Sequence, residues 1–312
     1  MDNKPHYFLR FSLVMLQFFT YLLVSYSAIF FIMHVASGSP LNHETVIPLT
    51  SLESSTIALY LQAPLFSQYL SSLKNLILLN WGHSFFNSLD PLIYYVPQAL
   101  FITLLFTILT VILAVFLSAF LALITVFHPK KWIRRSLLLF ILLLGSLPHV
   151  VAAPMLFLFA SHYVPSIIIS SSWLDLPKFS TIVLLLSVPY IALFTKLLYV
   201  DLSNTPHWFH LKQLLALGFS IKQSLWQLRY QILSPISRYI GIAIPQLLSG
   251  FILVEDLFRI PALGTLSIEA INRRDYPVIL VTSMIFSLSI WIFTRLATSI
   301  QHKLDPRGGT VL

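Results

Sequence analysis

The chain has 312 residues, of which 57% are hydrophobic and only 10% charged, and its mean hydropathy is +0.84. A soluble domain of this size carries roughly a quarter charged residues, so the composition excludes both an ordinary soluble enzyme and a disordered chain. The excess of eight basic over acidic residues fits cytoplasmic loops of a membrane protein better than nucleic-acid binding, and the lack of cysteine excludes disulfides and thiol chemistry.

Long gaps without charge mark the membrane spans. They run from Arg10 to Glu44, Asp90 to Lys130, Arg135 to Asp175, Lys178 to Lys196, Arg238 to Glu255 and Asp275 to Arg295. A spanning helix needs about 20 apolar residues. The expected fold is therefore an all-α polytopic membrane protein with six transmembrane helices near 10–35, 97–127, 137–162, 179–200, 236–257 and 277–300. Continuous apolar runs argue against a β-barrel. The run after Arg10 is too long for a cleaved signal peptide.

The intervening charges give an orientation. Glu44, Glu53 and Asp90 against Lys74 place the loop at about 37–95 outside. Lys130, Lys131, Arg134 and Arg135 place the next one inside. The loop at about 163–178 is balanced, and around that at about 258–276 Glu255, Asp256, Glu269 and Asp275 stand against Arg259, Arg273 and Arg274; both fall outside. The segment at about 201–235 is basic and falls inside, with both termini cytoplasmic. Four prolines stand inside expected spans: Pro148 and Pro154 in the third, Pro189 in the fourth and Pro245 in the fifth. Each either kinks a helix that lines a pathway or moves, or is a structural bend. Gly241 and Gly250 fit close helix packing.

The segment 204–235 is the most informative loop. Thr205-Pro206 reads as an N-cap and first helical residue, and Gly218 as a left-handed terminator. The short helix between them presents Trp208, Leu211, Leu214, Leu215 and Leu217 on one face, beside Lys212 and Gln213. Such a face suits a lipid surface or a groove on a partner protein. Ser220 and Gln223 have capping-box spacing for a second helix. No phosphate-binding loop, nucleophile elbow or zinc-helix motif is present, and His207 with His210 reads as a surface pair, so no catalytic or metal site is expected.

From Ala216 onward the chain resembles the permease subunits of bacterial ABC importers for dipeptides and oligopeptides. The residues that carry the resemblance are Ala216-Leu217-Gly218-Phe219-Ser220, Leu248-Ser249-Gly250, Ile252 to Phe258, Pro261-Ala262-Leu263-Gly264, Ala270 to Val278, and Asp305-Pro306-Arg307. Upstream, Gly38-Ser39-Pro40 and Trp81-Gly82-His83-Ser84 stand where the family has acidic motifs, and the acids are missing here. Lys212-Gln213-Leu214 likewise replaces the acidic start of the docking loop.

The resemblance implies a type I ABC importer permease fold over residues 1–312 as one domain, in a bacterial inner membrane. It implies a second homologous permease, two ABC ATPase subunits that bind ATP and Mg, a periplasmic substrate-binding protein and membrane lipid as partners, and no nucleic acid. Trp208, Leu211, Leu214, Leu215, Ala216, Leu217 and Gly218 would dock the ATPase. Glu255, Pro261, Gly264, Arg273, Arg274 and Asp275 would form an outer gate or loop, with the Arg273-Arg274-Asp275 cluster solvated. The substrate would be a peptide, with antimicrobial peptides or nickel as related alternatives; a membrane scaffold or intramembrane enzyme is the reading from another class.

Overall fold

The computed structural model describes residues 4–36, 62–86, 91–165, 172–203, 212–227 and 229–304. The named helices are α1 (Lys4–Val35), α2 (Leu65–Ile77), α3 (Leu92–Phe127), α4 (Lys131–Gly145), α5 (His149–Tyr163), α6 (Leu176–Ser203), α7 (Ile221–Gln227), α8 (Arg229–Leu257), α9 (Leu263–Arg273) and α10 (Tyr276–Leu304). Among the described residues there is no strand, only an isolated bridge between His83 and Pro91. Five helices are long and apolar enough to cross a bilayer, over Ser12–Val35, Leu92–Val126, Leu176–Ser203, Tyr239–Leu257 and Tyr276–Lys303. They coincide with five of the six expected spans.

The third expected span, 137–162, is instead two helices of 15 residues each, α4 and α5. At 1.5 Å per residue each is about 22 Å long, short of the roughly 30 Å hydrocarbon core. Pro148 causes the break. It takes an extended conformation (φ −61°, ψ 144°) as the residue before α5, and its ring disfavours a helical Leu147. Pro148 is thus a helix starter and not an interior kink. Pro154 and Pro189 do lie inside helices, α5 and α6, and Pro245 falls within α8. The segments between the first and second and between the fifth and sixth expected spans contain two helices, α2 and α9, that a reading by charge gaps passes over.

The chain divides into two compact units. The first comprises residues 1–103 and 261–291, the second 104–260 and 292–312. In the first, Leu92, Val96 and Ala99 of α3 pack with Leu263 and Ala270 of α9 and with Val278, Val281 and Ile285 of α10. A second cluster joins Tyr26, Phe30 and Met33 of α1 to Tyr276 and Leu280 of α10. Thr103 accepts a hydrogen bond from the Leu263 N–H at 3.0 Å, satisfying one orphan donor at the start of α9.

In the second unit α4 and α6 make the most extensive described helix contact. Gly145 is the reason. A Cβ built there would lie 2.1 Å from the Ala192 Cβ, so only a glycine permits this approach. Gly241 serves α8 and α10 in the same way, 3.0 Å from the Ala297 Cβ, as its expected packing role requires. Ala122, Leu198 and Ile236 close a core where α3, α6 and α8 meet. Thr107, Thr110, Ser118 and Thr125 are buried along α3; Ser118 and Thr125 donate back to the carbonyls of Val115 and Leu121, which lets hydroxyls sit in an apolar interior.

Candidate coupling and outer-face elements

In the segment 204–235 the expected helix start at Thr205-Pro206 lies outside the described residues, and the part from residue 212 takes the expected turn. Residues 212–216 are helical, and Gly218 follows at φ +87°, the left-handed conformation expected of it. Its N–H donates to the Leu215 carbonyl at 3.0 Å, and the Phe219 N–H reaches back to Leu214 at 3.1 Å, the bond pattern of a Schellman turn. The capping box also forms. The Ser220 N–H donates to Gln223 Oε1 at 2.9 Å, and the Gln223 N–H donates to Ser220 Oγ at 3.3 Å.

Around this turn Leu215, Leu217, Phe219, Ile221 and Trp226 are all exposed, and Leu217 (74%) and Trp226 (68%) almost wholly so. Ala216 is exposed and Leu214 half-buried. Trp208 and Leu211 lie outside the described residues. Five large apolar side chains are thus exposed within twelve residues, a local concentration that fits a surface covered by a partner or by lipid.

The segment hangs from α6 and α8, and these two are tied together near its roots. The Tyr239 hydroxyl donates to Asp201 Oδ2 at 2.5 Å, and the Tyr239 ring stacks on Phe194 at 6.5 Å. Neither Asp201 nor Tyr239 stood out in the sequence, because the pair is 38 residues apart.

Between α9 and α10, Asp275 corrects an expectation. It is only 4% exposed, not solvated. Arg274 adopts φ +57° and turns the chain between α9 and α10, and Asp275 then caps α10 by accepting from the Val278 N–H. Its carboxylate also accepts from the Ser84 hydroxyl and from the Phe85 N–H at 3.2 Å. Burial pushes the Asp275 carboxyl above its ordinary value. The bonds from Ser84, Phe85 and Val278 and the charge of Arg273 pull the other way but do not cancel it.

Arg273 is exposed and Arg274 half-buried. Asp275, Arg273, Glu269, Ser84 and Tyr95 line a polar cavity of about 310 Å³. Gly264 is buried at the start of α9 and Pro261 is exposed. Glu255 is fully buried on α8, in the other unit. Of the expected outer set, Arg273 and Asp275 line one cavity.

Comparison with known proteins agrees with this architecture. Residues 114–308 match the family described as "Binding-protein-dependent transport system inner membrane component". The dipeptide transport system permease protein of Lactococcus lactis subsp. cremoris is 25% identical over 281 residues, covering 89% of this chain and 91% of that protein. The oligopeptide transport system permease protein of Haemophilus influenzae is 23% identical over 295 residues, 92% and 94% of the two chains. A nickel import system permease protein of Staphylococcus aureus is 34% identical, but over 73 residues and under a quarter of either chain. The matched region takes in most of the second unit and the whole of the final helix of this multi-pass helical chain, and the protein belongs to the binding-protein-dependent transport family of inner-membrane permeases.

Proposed function

We propose that this chain is a permease subunit of an ATP-driven importer that carries peptides across a bacterial inner membrane. The observation that carries the peptide reading is coverage. Relatives aligned over nine-tenths of both chains are permeases for dipeptides and oligopeptides, whereas the nickel permease matches only a short stretch. The chain itself is a transport component and no enzyme. ATP and Mg are bound by two partner ABC ATPases, a second homologous permease completes the pathway, and a periplasmic binding protein delivers substrate.

In this reading the apolar surface around Gly218 is where an ATPase docks. Each large apolar side chain that a partner covers contributes up to roughly 1.5–3 kcal/mol, so Leu215, Leu217 and Phe219 together suffice for a stable contact. Movement of the ATPases pushes on the segment between α6 and α8. The helix bundle then switches between two arrangements biased by nucleotide and substrate. The outer segment between α8 and α10 faces the binding protein, with Pro261, Arg273 and Arg274 at that surface and Glu255, Gly264 and Asp275 as buried supports.

The test is a pull-down of the ATPase with Gly218→Val and Leu215→Asp at equal membrane abundance. A Cβ at position 218 meets nothing within 4 Å. The cost of Gly218→Val is thus backbone strain at φ +87°, roughly 1–2 kcal/mol, and the docking turn is re-aimed. Both variants should lose ATPase or transport. Full ATPase recovery together with normal transport in both would remove this segment from the coupling path and favour a lipid-surface role.

A further inference from the structure

Helix α2 carries an exposed apolar stripe beside an exposed polar one. Ser67, Ser71, Lys74 and Asn75 are exposed, and part of its polar set turns inward. Gln68 is 3% exposed and hydrogen-bonds His34 Nε2 at 3.0 Å, the Tyr69 hydroxyl pairs with Ser27 Oγ at 2.8 Å, and Ser72 Oγ accepts from the Tyr26 hydroxyl at 2.6 Å. Of its apolar side chains, Leu65, Phe66, Leu70 and Ile77 are exposed, and Leu73 and Leu76 are half-buried. These pairings lay α2 antiparallel along the C-terminal half of the span Ser12–Val35. Beyond them, Leu73, Ile77 and Leu79 reach Phe19 and Leu23, near the middle of that span, around a common groove.

The groove has a volume of about 350 Å³ and is walled by apolar side chains of α1, α2 and α10, including Phe19, Leu23, Ile77 and Met284. Phe19 and Leu23 also belong to the exposed face of the first span, so the groove opens onto the surface that meets lipid tails. A second cavity, of about 220 Å³, adjoins it: Leu76, Trp81 and Val281 line both. This one is mixed, with Ser71, Asn75, Asn80 and His83 offering hydroxyl, amide and imidazole groups. Trp81 stands at the junction, the position an indole takes between hydrocarbon and water.

The turn after α2 satisfies its own backbone. The N–H groups of Leu78, Leu79 and Asn80 donate to Lys74, Leu76 and Asn75 at 3.0, 3.1 and 2.9 Å, a helix C-cap that an interfacial setting tolerates. Leu79 holds φ +55°, a conformation that favours glycine, and its side chain lines the groove. A glycine would turn the chain with less strain but would leave that wall open.

We propose that α2 and its turn lie in the membrane interface and that the paired cavities bind one phospholipid, an acyl chain in the groove and the headgroup in the second cavity. The lipid comes from the leaflet beside the 37–95 loop, the outer one in the charge-based orientation. Apolar continuity with the first span selects a lipid over a water-soluble ligand. The inference rests on the membrane placement of α1 and is independent of the transported substrate.

The test uses the full chain reconstituted in bilayers containing phosphatidylethanolamine with a photoreactive diazirine in mid-chain, followed by peptide mapping of the adducts. Adducts should concentrate between Leu73 and Trp81 and exceed those at Phe116, an exposed residue of α3. Met284→Trp, which fills the groove, should lower them about tenfold, the effect of displacing roughly two buried methylenes, and leave Phe116 labelling unchanged as the control for insertion. Leu79→Asn keeps the turn and should also reduce them. Labelling no denser than at Phe116, labelling insensitive to Met284→Trp, or replacement of lipid adducts by a cross-link to the second permease in the assembled complex would each overturn the proposal.

Discussion

Replacing Gly145 by alanine adds one methyl group at the α4–α6 crossing, and the structure fixes what it meets. The new Cβ would stand 2.1 Å from the Ala192 Cβ, with the Ala192 Cα and Pro189 carbonyl both at 3.5 Å. Ordinary carbon contacts are about 3.5–4.0 Å, so the helices must part by more than about 1 Å. Ala192 has no rotamer to move, and the shift falls on backbone. Overpacking of this kind costs about 1–3 kcal/mol, against about 0.4–1 kcal/mol that alanine returns by restricting the unfolded chain. The clash wins, and the net loss is roughly 1–2 kcal/mol, about a factor of 5–30 in the folding equilibrium.

The assay is the thermal unfolding midpoint in a fixed detergent, with fluorescence-detected size exclusion as readout. Gly145→Ala should unfold at a lower temperature than the parent. Gly145→Ala combined with Ala192→Gly should recover most of the loss, because the second change removes the opposing methyl; Ala192→Gly alone costs only about 0.5–1 kcal/mol of helix propensity. A Gly145→Ala midpoint at or above the parent, or a double variant no better than Gly145→Ala, would refute the close approach.

Two further outcomes follow from the polar contacts. Asp275 has a carboxyl raised by burial, so the folded state holds its proton more tightly than the unfolded state; stability should fall as pH rises from the ordinary carboxylate value through the raised one. Asp275→Asn, which keeps a capping oxygen, should flatten that decline, and an unchanged pH profile of the unfolding midpoint would count against the buried carboxylate. Tyr239→Phe should cost about 1–1.5 kcal/mol through the lost bond to Asp201, and Asp201→Ala added to it should cost little more. Fully additive losses in that cycle would show that the two residues do not act as a pair.

Much of this fold is legible in the charge gaps, because a bilayer tolerates few ionised side chains and needs long apolar helices. The Gly218 turn and the Ser220–Gln223 box are legible for a local reason: both are set by residues within a few positions of each other. Pro148 was not. A proline in an apolar stretch kinks a helix or starts one according to the packing around it, here the Gly145–Ala192 approach just before it. Asp275 was misjudged for a similar reason, since its partner Ser84 is 191 residues away. Leu79, Arg259 and Arg274 hold positive φ without being glycine, so three helix-ending turns carried no glycine signal. Helices α2 and α9 escaped because they are short and amphipathic, and a search for spans does not register them.

The central claim is that this chain serves peptide import driven by partner ATPases. It is tested most directly by proteoliposomes holding the chain with its second permease, its ATPases and its binding protein, with ATP hydrolysis and uptake measured together. The account predicts that a labelled peptide carried by the binding protein stimulates hydrolysis and accumulates inside, and that nickel does neither. Nickel accumulation without peptide uptake, or hydrolysis indifferent to peptide, would contradict it.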